Sequence, residues 1–191
     1  MATLTSIKNK YLVDSDAYDL GVGDNSNNIA LLAFKVATQD SLAVFNLVDG
    51  VSDEFEDETG IDTGNSANES YDSTNDLYTQ TTNGDITLIS TATTAQAAPS
   101  DARIVIFEQD IDSITLNTDL KAFVSRDNGS NYSEVTLTDE GDYASGKQIF
   151  AGSVDVSGQP SGTSMRYKIR GYNNSGDAKE FNLHGVCLTW G

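Results

Sequence analysis

The stretch Met165-Arg-Tyr-Lys-Ile-Arg170, MRYKIR, alternates apolar and basic side chains one by one. Successive side chains of a β-strand point to opposite faces, so a period of two predicts a strand with one face in a core and the other in water. Further β-rich runs, several of them with the same period, lie at 103–108, 119–126, 147–156 and 181–190. The part of the chain after about residue 85 is therefore predicted to be rich in strands.

Turn signals separate these runs: DNGSN at 127–131, TDEGDYASG at 138–146, SGQPSG at 157–162 and NNSGD at 173–177. Short strands joined by regular turns are typical of antiparallel folds with local hairpins. We therefore predict a mainly β protein whose residues 85–191 form an antiparallel, jelly-roll-like β-sandwich. A change of phase at Gly185 predicts a β-bulge in the last strand.

Residues 1–62 have a different pattern and are predicted to form an N-terminal arm, a strand and one amphipathic helix. Four apolar side chains recur at i, i+4, i+7 and i+11, which is one stripe of a helix over about 41–59: Val44, Val48, Val51 and Phe55. This stripe could pack on the chain's own sheet or on a neighbouring subunit. We take the four residues as candidate inter-subunit contacts.

Residues 63–84 consist almost entirely of Ser, Thr, Asn, Asp and Gly, with Tyr71, Leu77 and Tyr78 as the large apolar side chains. This composition predicts a polar linker, or an arm that lies on another surface.

Charge and composition exclude several classes of function. The 191 residues include 29 Asp and Glu against 11 Lys and Arg, a formal net charge of −18, which repels nucleic acid and anionic membranes. No window approaches the ~20 apolar residues of a membrane span, so we expect no membrane insertion. With one His and one Cys, disulfide frameworks, Cys/His zinc sites and most nucleophilic triads are excluded. We predict no catalytic residues, no metal site and no cofactor.

Residues 125–132, SRDNGSNY, resemble the Asp-box, the pattern S-x-D-x-G-x-x-aromatic found on β-hairpin turns. Asp127 can accept hydrogen bonds from the backbone amides of the turn, Gly129 permits positive φ, and Tyr132 can pack beneath the turn. The motif stabilises a turn and supplies no chemistry.

Tyrosines near the predicted turns and strands are candidate platforms for stacking a sugar ring: Tyr132, Tyr143, Tyr167 and Tyr172. Tyr is also an ordinary residue at half-buried strand positions, so both interpretations stay open.

The segments TLNTDLKAFVSRDNGSNYSEVTL at 115–137 and SGQPSGTSMRYKI at 157–169, with a final strand ending in LTW, resemble a C-terminal β module of virion structural proteins of tailed, especially marine, bacteriophages. Residues 28–62 resemble a segment that precedes that module. The resemblance implies a virion component, assembled in the host cytoplasm and oligomeric.

Two functions follow as hypotheses. The first is a non-enzymatic homotrimer that decorates the capsid or belongs to a fibre, in contact with major capsid or tail proteins. The alternative is a receptor-binding module of a tail fibre that recognises a host-surface glycan.

Overall fold

A computed structural model describes Leu47 and residues 49–191. Within these residues the chain forms strands and no helix. The strands are β1 (Asp49–Asp53), β2 (Glu69–Asp72), β3 (Leu77–Gln80), β4 (Thr87–Ile89), β5 (Thr93–Thr94), β6 (Asp101–Asp110), β7 (Leu120–Ser125), β8 (Ser133–Val135), β9 (Thr138–Ala144), β10 (Lys147–Asp155), β11 (Ser164–Gly171) and β12 (Phe181–Trp190).

The strands form two antiparallel sheets. The large sheet has the order β2-β3-β12-β6-β10-β9, and β1 also pairs with β12. The small sheet has the order β4-β11-β7-β8, and β5 also pairs with β11. Strand β12 lies inside the large sheet, with β6 along one side and both β1 and β3 along the other.

One hydrophobic core is shared by the inner faces of both sheets. The large sheet contributes Ile104, Ile106 and Trp190, and the small sheet contributes Val124 and Ile169, all at most 1% exposed. Because each strand alternates between this core and the opposite side, the two-layer arrangement confirms the predicted antiparallel β-sandwich. The jelly-roll-like connectivity and the N-terminal arm stay predictions.

The predicted helix over 41–59 is wrong where the structure describes the chain. Residues 49–53 form β1, in which Val51 lies opposite Leu188. The Asp53 carboxylate then accepts a hydrogen bond from the backbone amide of Phe55, which has a positive φ of 56° and turns its ring into the core. The side of β12 offers backbone hydrogen bonds to this segment, and the glycine at position 50 weakens a helix there.

The predicted linker at 63–84 is folded. Strands β2 and β3 form a hairpin in register from Glu69 opposite Gln80 to Asp72 opposite Leu77, and β3 pairs with β12. Tyr78, fully buried, anchors the hairpin in the core. Polar composition does not prevent pairing here, because Gln80 exchanges two hydrogen bonds of 2.9 Å with the backbone at 179 and 181. The sandwich therefore begins well before residue 85.

Two details of the last strands match the sequence-based expectations. The register of β12 against β6 shifts between Leu183 and Gly185, which confirms the predicted bulge. The alternation of β11 is also confirmed, with Met165, Tyr167 and Ile169 buried. In the part of the chain that the structure describes, no helix has the length and apolar character needed to cross a membrane.

Candidate functional site

The outer face of the small sheet carries a concentration of positive charge. Residues 103–191 contain eight Lys and Arg, and four of them lie on this face: Lys121, Arg166, Lys168 and Arg170. The alternation of β11 places three of these on one side because the residues between them face the core. In a chain with a net charge of −18, a cluster of four basic side chains on one face is unusual.

The pairing register places an aromatic side chain directly across from one of these basic side chains on the neighbouring strand. Lys168 lies opposite Phe123 of β7, and Phe123 lies opposite Glu134 of β8. Arg170 lies opposite Lys121, so two cations face each other on neighbouring strands. Like charges directly opposite each other destabilise a sheet unless another group compensates them.

The cations lie over aromatic rings. The ammonium of Lys168 is 3.8 Å from the ring centroid of Tyr132 and 4.8 Å from that of Phe123. The guanidinium carbon of Arg170 is 4.6 Å from the ring centroid of Tyr172. These are cation–π distances, and each ring is half-buried, with part of its surface in solvent. We call these five side chains, together with Lys121 and Arg166, the cationic aromatic face.

The four cations of this face differ in their carboxylate partners. Lys121 is 2.9 Å from Glu134, and Arg166 is 2.6 Å from Asp62. Among the residues that the structure describes, no ion pair joins Lys168 or Arg170 to a carboxylate.

Both unpaired cations are partly desolvated. The Nε of Arg170 is buried and has no hydrogen-bond acceptor among the described residues. Burial lowers the pKa of Lys168, and the nearby charge of Arg170 lowers it further. Because no described carboxylate compensates either charge, the pair has unused capacity to bind an anion at the surface.

The turn at 125–132 holds Tyr132 in place, as its motif predicts. The Asp127 carboxylate accepts hydrogen bonds from the backbone amide of Asn131 at 2.8 Å and from the hydroxyl of Ser125 at 2.8 Å. Gly129 has a φ of 83°, and a side chain there would meet the Tyr132 hydroxyl. The turn therefore fixes one edge of the cationic aromatic face.

Arg126, the second residue of this turn, has a structural role. Its buried guanidinium donates to backbone carbonyls of Pro99, Ser157, Gln159 and Pro160. The side chain of Gln159 in turn accepts from the Arg126 amide and donates to the carbonyl of Val124. The loop at 157–160 is thereby tied to the end of β7.

The four candidate tyrosines have three different environments. Tyr132 and Tyr172 lie on the cationic aromatic face, as a glycan platform requires. Tyr167 is 1% exposed, with its hydroxyl 3.5 Å from Asp53, so it cannot stack on a sugar. It points inward because it has the core phase of the β11 alternation. Tyr143 lies on the large sheet against Phe107, with ring centroids 4.8 Å apart.

The candidate inter-subunit residues are not brought together as a surface stripe. Val44 and Val48 lie outside the described residues. Val51 is half-buried beside the core, and Phe55 is 0% exposed, with its ring centroid 5.0 Å from that of Tyr78. Because Phe55 packs inside its own chain, it is not available to a second subunit.

Two titratable groups of the described strands, Glu108 and His184, lie in the large sheet and outside the cationic aromatic face. Glu108 is 0% exposed, and burial, assisted by the neighbouring carboxylate of Asp110, raises its pKa to about 9. His184 is half-buried with Nε2 3.0 Å from the Oε1 of Gln109, and burial lowers its pKa to about 4. In residues 49–191 no group of three or more His, Cys, Asp and Glu is arranged to hold a metal ion.

Sequence reasoning identified the alternation of β11 and two of the tyrosines, but it missed Lys121, Phe123 and Arg170 as parts of one site. Their proximity depends on the pairing of β7 with β11, which is set over a long separation in sequence. The sequence contained two hints: the basic side chains at every second position of 165–170, and a Phe among the outward-facing positions of β7.

No family model matches the chain, and no curated protein matches it. Among solved structures, a xylan-binding module, CBM15, is 12% identical with a TM-score of 0.48 over 74% of this chain and 96% of that one. A CBM35 module from Paenibacillus barcinonensis is 11% identical with a TM-score of 0.43, over 74% and 98%. The low-affinity xylan-binding module CBM86 from Roseburia intestinalis is 8% identical with a TM-score of 0.42, over 75% and 97%.

Proposed function

We propose that this chain is a non-catalytic β-sandwich module that binds carbohydrate on its cationic aromatic face. The observation that carries the proposal is the row formed by Phe123, Lys168 and Tyr132 on the outside of the small sheet, with Arg170 and Tyr172 beside it.

The chemistry of a sugar ring suits this arrangement. A pyranose has apolar C–H patches that pack on aromatic rings, and hydroxyl groups that accept hydrogen bonds from ammonium and guanidinium donors. Rings and donors lie here within one face of a paired sheet, where the backbone register fixes their spacing. Glu108, whose pKa is strongly raised, is buried away from this face.

We also propose a bacteriophage virion as the setting of this module. The support is the resemblance of residues 28–62, 115–137 and 157–169 to segments of virion proteins. In that setting the face would recognise a host-surface glycan, and a homotrimer would present three copies. Antibody labelling of intact particles tests the setting: absence of the protein from purified virions contradicts it, whatever the result of binding assays.

The test of carbohydrate binding is affinity electrophoresis and calorimetry against a panel of soluble polysaccharides. We expect one class to bind the unmodified chain and to lose at least tenfold in affinity when Tyr132→Ala or Tyr172→Ala removes a ring, a loss of about 1.4 kcal/mol.

The matched control is Ile111→Ala. Ile111 is an exposed apolar side chain, 50% accessible, and it lies outside the face. Its removal is expected to leave affinity unchanged. Circular dichroism of each variant confirms the β fold. Failure of the whole panel to bind, or equal losses for Ile111→Ala and Tyr132→Ala, contradicts the proposal.

A further inference from the structure

We infer that the carbohydrate taken by the cationic aromatic face is acidic, carrying a carboxylate or sulfate group that binds between Lys168 and Arg170. This inference rests on the proposed function and specifies its ligand class. It follows from the charges of the face rather than from its rings.

Positive charge is concentrated around Lys168 and Arg170. The two cations are two residues apart on β11 and point to the same side, and Arg170 faces Lys121 across the strand pair. Three positive groups at adjacent positions repel one another. Glu134 compensates Lys121, but no described carboxylate forms an ion pair with the other two. An anion bound there supplies the missing charge.

The donor groups of Arg170 and Lys168 lack anionic acceptors among the described residues. Arg170 has no described carboxylate partner, and a guanidinium fork matches two oxygens of a carboxylate or sulfate. Lys168 has rings as its neighbours, and an ammonium over a ring keeps its charge without forming a strong hydrogen bond. Both groups therefore gain from an anionic acceptor.

Lys168 and a bound sugar would compete for the Tyr132 ring. The Lys168 ammonium lies 3.8 Å from the centroid of that ring, so a sugar that stacks on the same side of the ring must displace the ammonium. A neutral sugar offers only hydroxyls to the displaced ammonium. An acidic sugar carries a carboxylate or sulfate substituent that can form an ion pair with it. Displacement by an acidic sugar thus restores a favourable contact, and displacement by a neutral sugar loses one.

The experiment compares polysaccharides that differ only in charge. Polygalacturonate and alginate are each tested beside their carboxyl-reduced forms, and dextran sulfate is tested beside dextran. Neutral xylan, mannan and β-glucan complete the panel. We expect at least tenfold tighter binding of one acidic polymer over its neutral counterpart, and a preference that falls as salt screens the charges. The carboxylate and sulfate pairs distinguish the two sources of negative charge.

Variants assign the effect to the face. Lys168→Gln and Arg170→Gln are expected to abolish the preference for the acidic polymer. Lys147→Gln, which removes one half-buried lysine from the large sheet, makes the same change in net charge and is expected to keep the preference.

The outcomes separate this inference from the proposed function. Equal binding of acidic and neutral partners, lost in Tyr132→Ala, overturns the inference and leaves carbohydrate binding in place. An acidic preference reduced equally by Lys147→Gln and Lys168→Gln also overturns it. The absence of binding to every acidic and neutral polymer overturns the proposed function together with the inference.

Discussion

The outer faces of the two sheets are built by the same alternation and have opposite characters. On the large sheet, Val105, Ala151 and Cys187 point away from the central core and are still at most 2% exposed. On the small sheet, the corresponding positions carry Lys168 and Arg170, both half-buried over aromatic rings. The middle of the first face is apolar and closed to solvent, whereas the second face keeps charge in contact with water. Burial makes the first face a source of stability, and the proposed function gives the second face a role in recognition.

The strongest way to sharpen this contrast is to remove one phenylalanine from each outer face. Phe107 is 3% exposed, and Phe123 is half-buried beneath Lys168. We expect Phe107→Ala to lower the free energy of unfolding by about 3–5 kcal/mol, since it deletes a buried ring, and Phe123→Ala to lower it by roughly 1 kcal/mol. Urea denaturation of both variants measures the difference. Equal losses would mean that the small-sheet face is as closed as the other.

The next largest effect is the pH dependence carried by Glu108 of the large sheet. Its folded pKa of about 9 lies above the ordinary value of 4.5, so the unfolded chain ionises this group first. Stability is therefore lost as the pH rises from about 4.5 to about 9. We expect Glu108→Gln to remove this dependence and to stabilise the fold on the order of 3 kcal/mol at pH 7.

The control for that experiment is Glu134→Gln on the cationic aromatic face. Glu134 is well exposed in its ion pair with Lys121, so the change is expected to leave the slope of stability against pH almost unaltered. A Glu108→Gln variant with the slope of the parent protein would show that this carboxyl is not the group responsible.

A smaller effect is expected at the Arg166–Asp62 pair, which ties the cationic aromatic face to the loop before β2. The hydrogen bond from Arg166 lowers the pKa of Asp62, so the pair stabilises the fold above the ordinary carboxyl pKa and loses that contribution as the pH falls. Asp62→Asn should cost about 1 kcal/mol or less at pH 7 and less still at pH 3. Thermal unfolding at the two pH values checks this; a larger cost in acid would contradict it.

The smallest expected change is that of Lys168→Gln on stability. The substitution loses a cation–π contact but relieves burial of an ammonium and repulsion from Arg170. We expect the free energy of unfolding to stay within about 0.5 kcal/mol of the parent value. Chemical denaturation tests this, and a large loss would give Lys168 a structural role in place of a binding role.

Features of the fold that depend on neighbouring residues were predicted correctly, whereas those that depend on distant strands were not. The alternation of 165–170, the phase change at Gly185 and the 125–132 turn depend on neighbours in sequence, and all three appear in the structure. The stripe ending in Val51 and Phe55 also has helical spacing, but partners on β12 and in the core decide its conformation. Local periodicity carries no information about such partners.

The candidate site was predictable only in part for the same reason. The sequence indicated that Tyr132 and Tyr172 could stack on a sugar, and it also offered Tyr167, whose strand phase points inward. Phe123 and Lys168 become neighbours through strand register, which short-range patterns do not specify. The polar hairpin β2–β3 was hidden because its place in the sheet depends on the pairing of β3 with the distant strand β12.

The position of β12 within the large sheet has a consequence for biosynthesis. This strand is the last of the described strands to leave the ribosome, yet β1, β3 and β6 all need it as a pairing partner. The edges of these earlier strands have no backbone hydrogen-bond partner until residues 181–190 have emerged. Contacts between residues so far apart in sequence slow folding. The many acidic side chains make nascent chains repel one another. The negative charge is therefore expected to reduce aggregation before folding is complete.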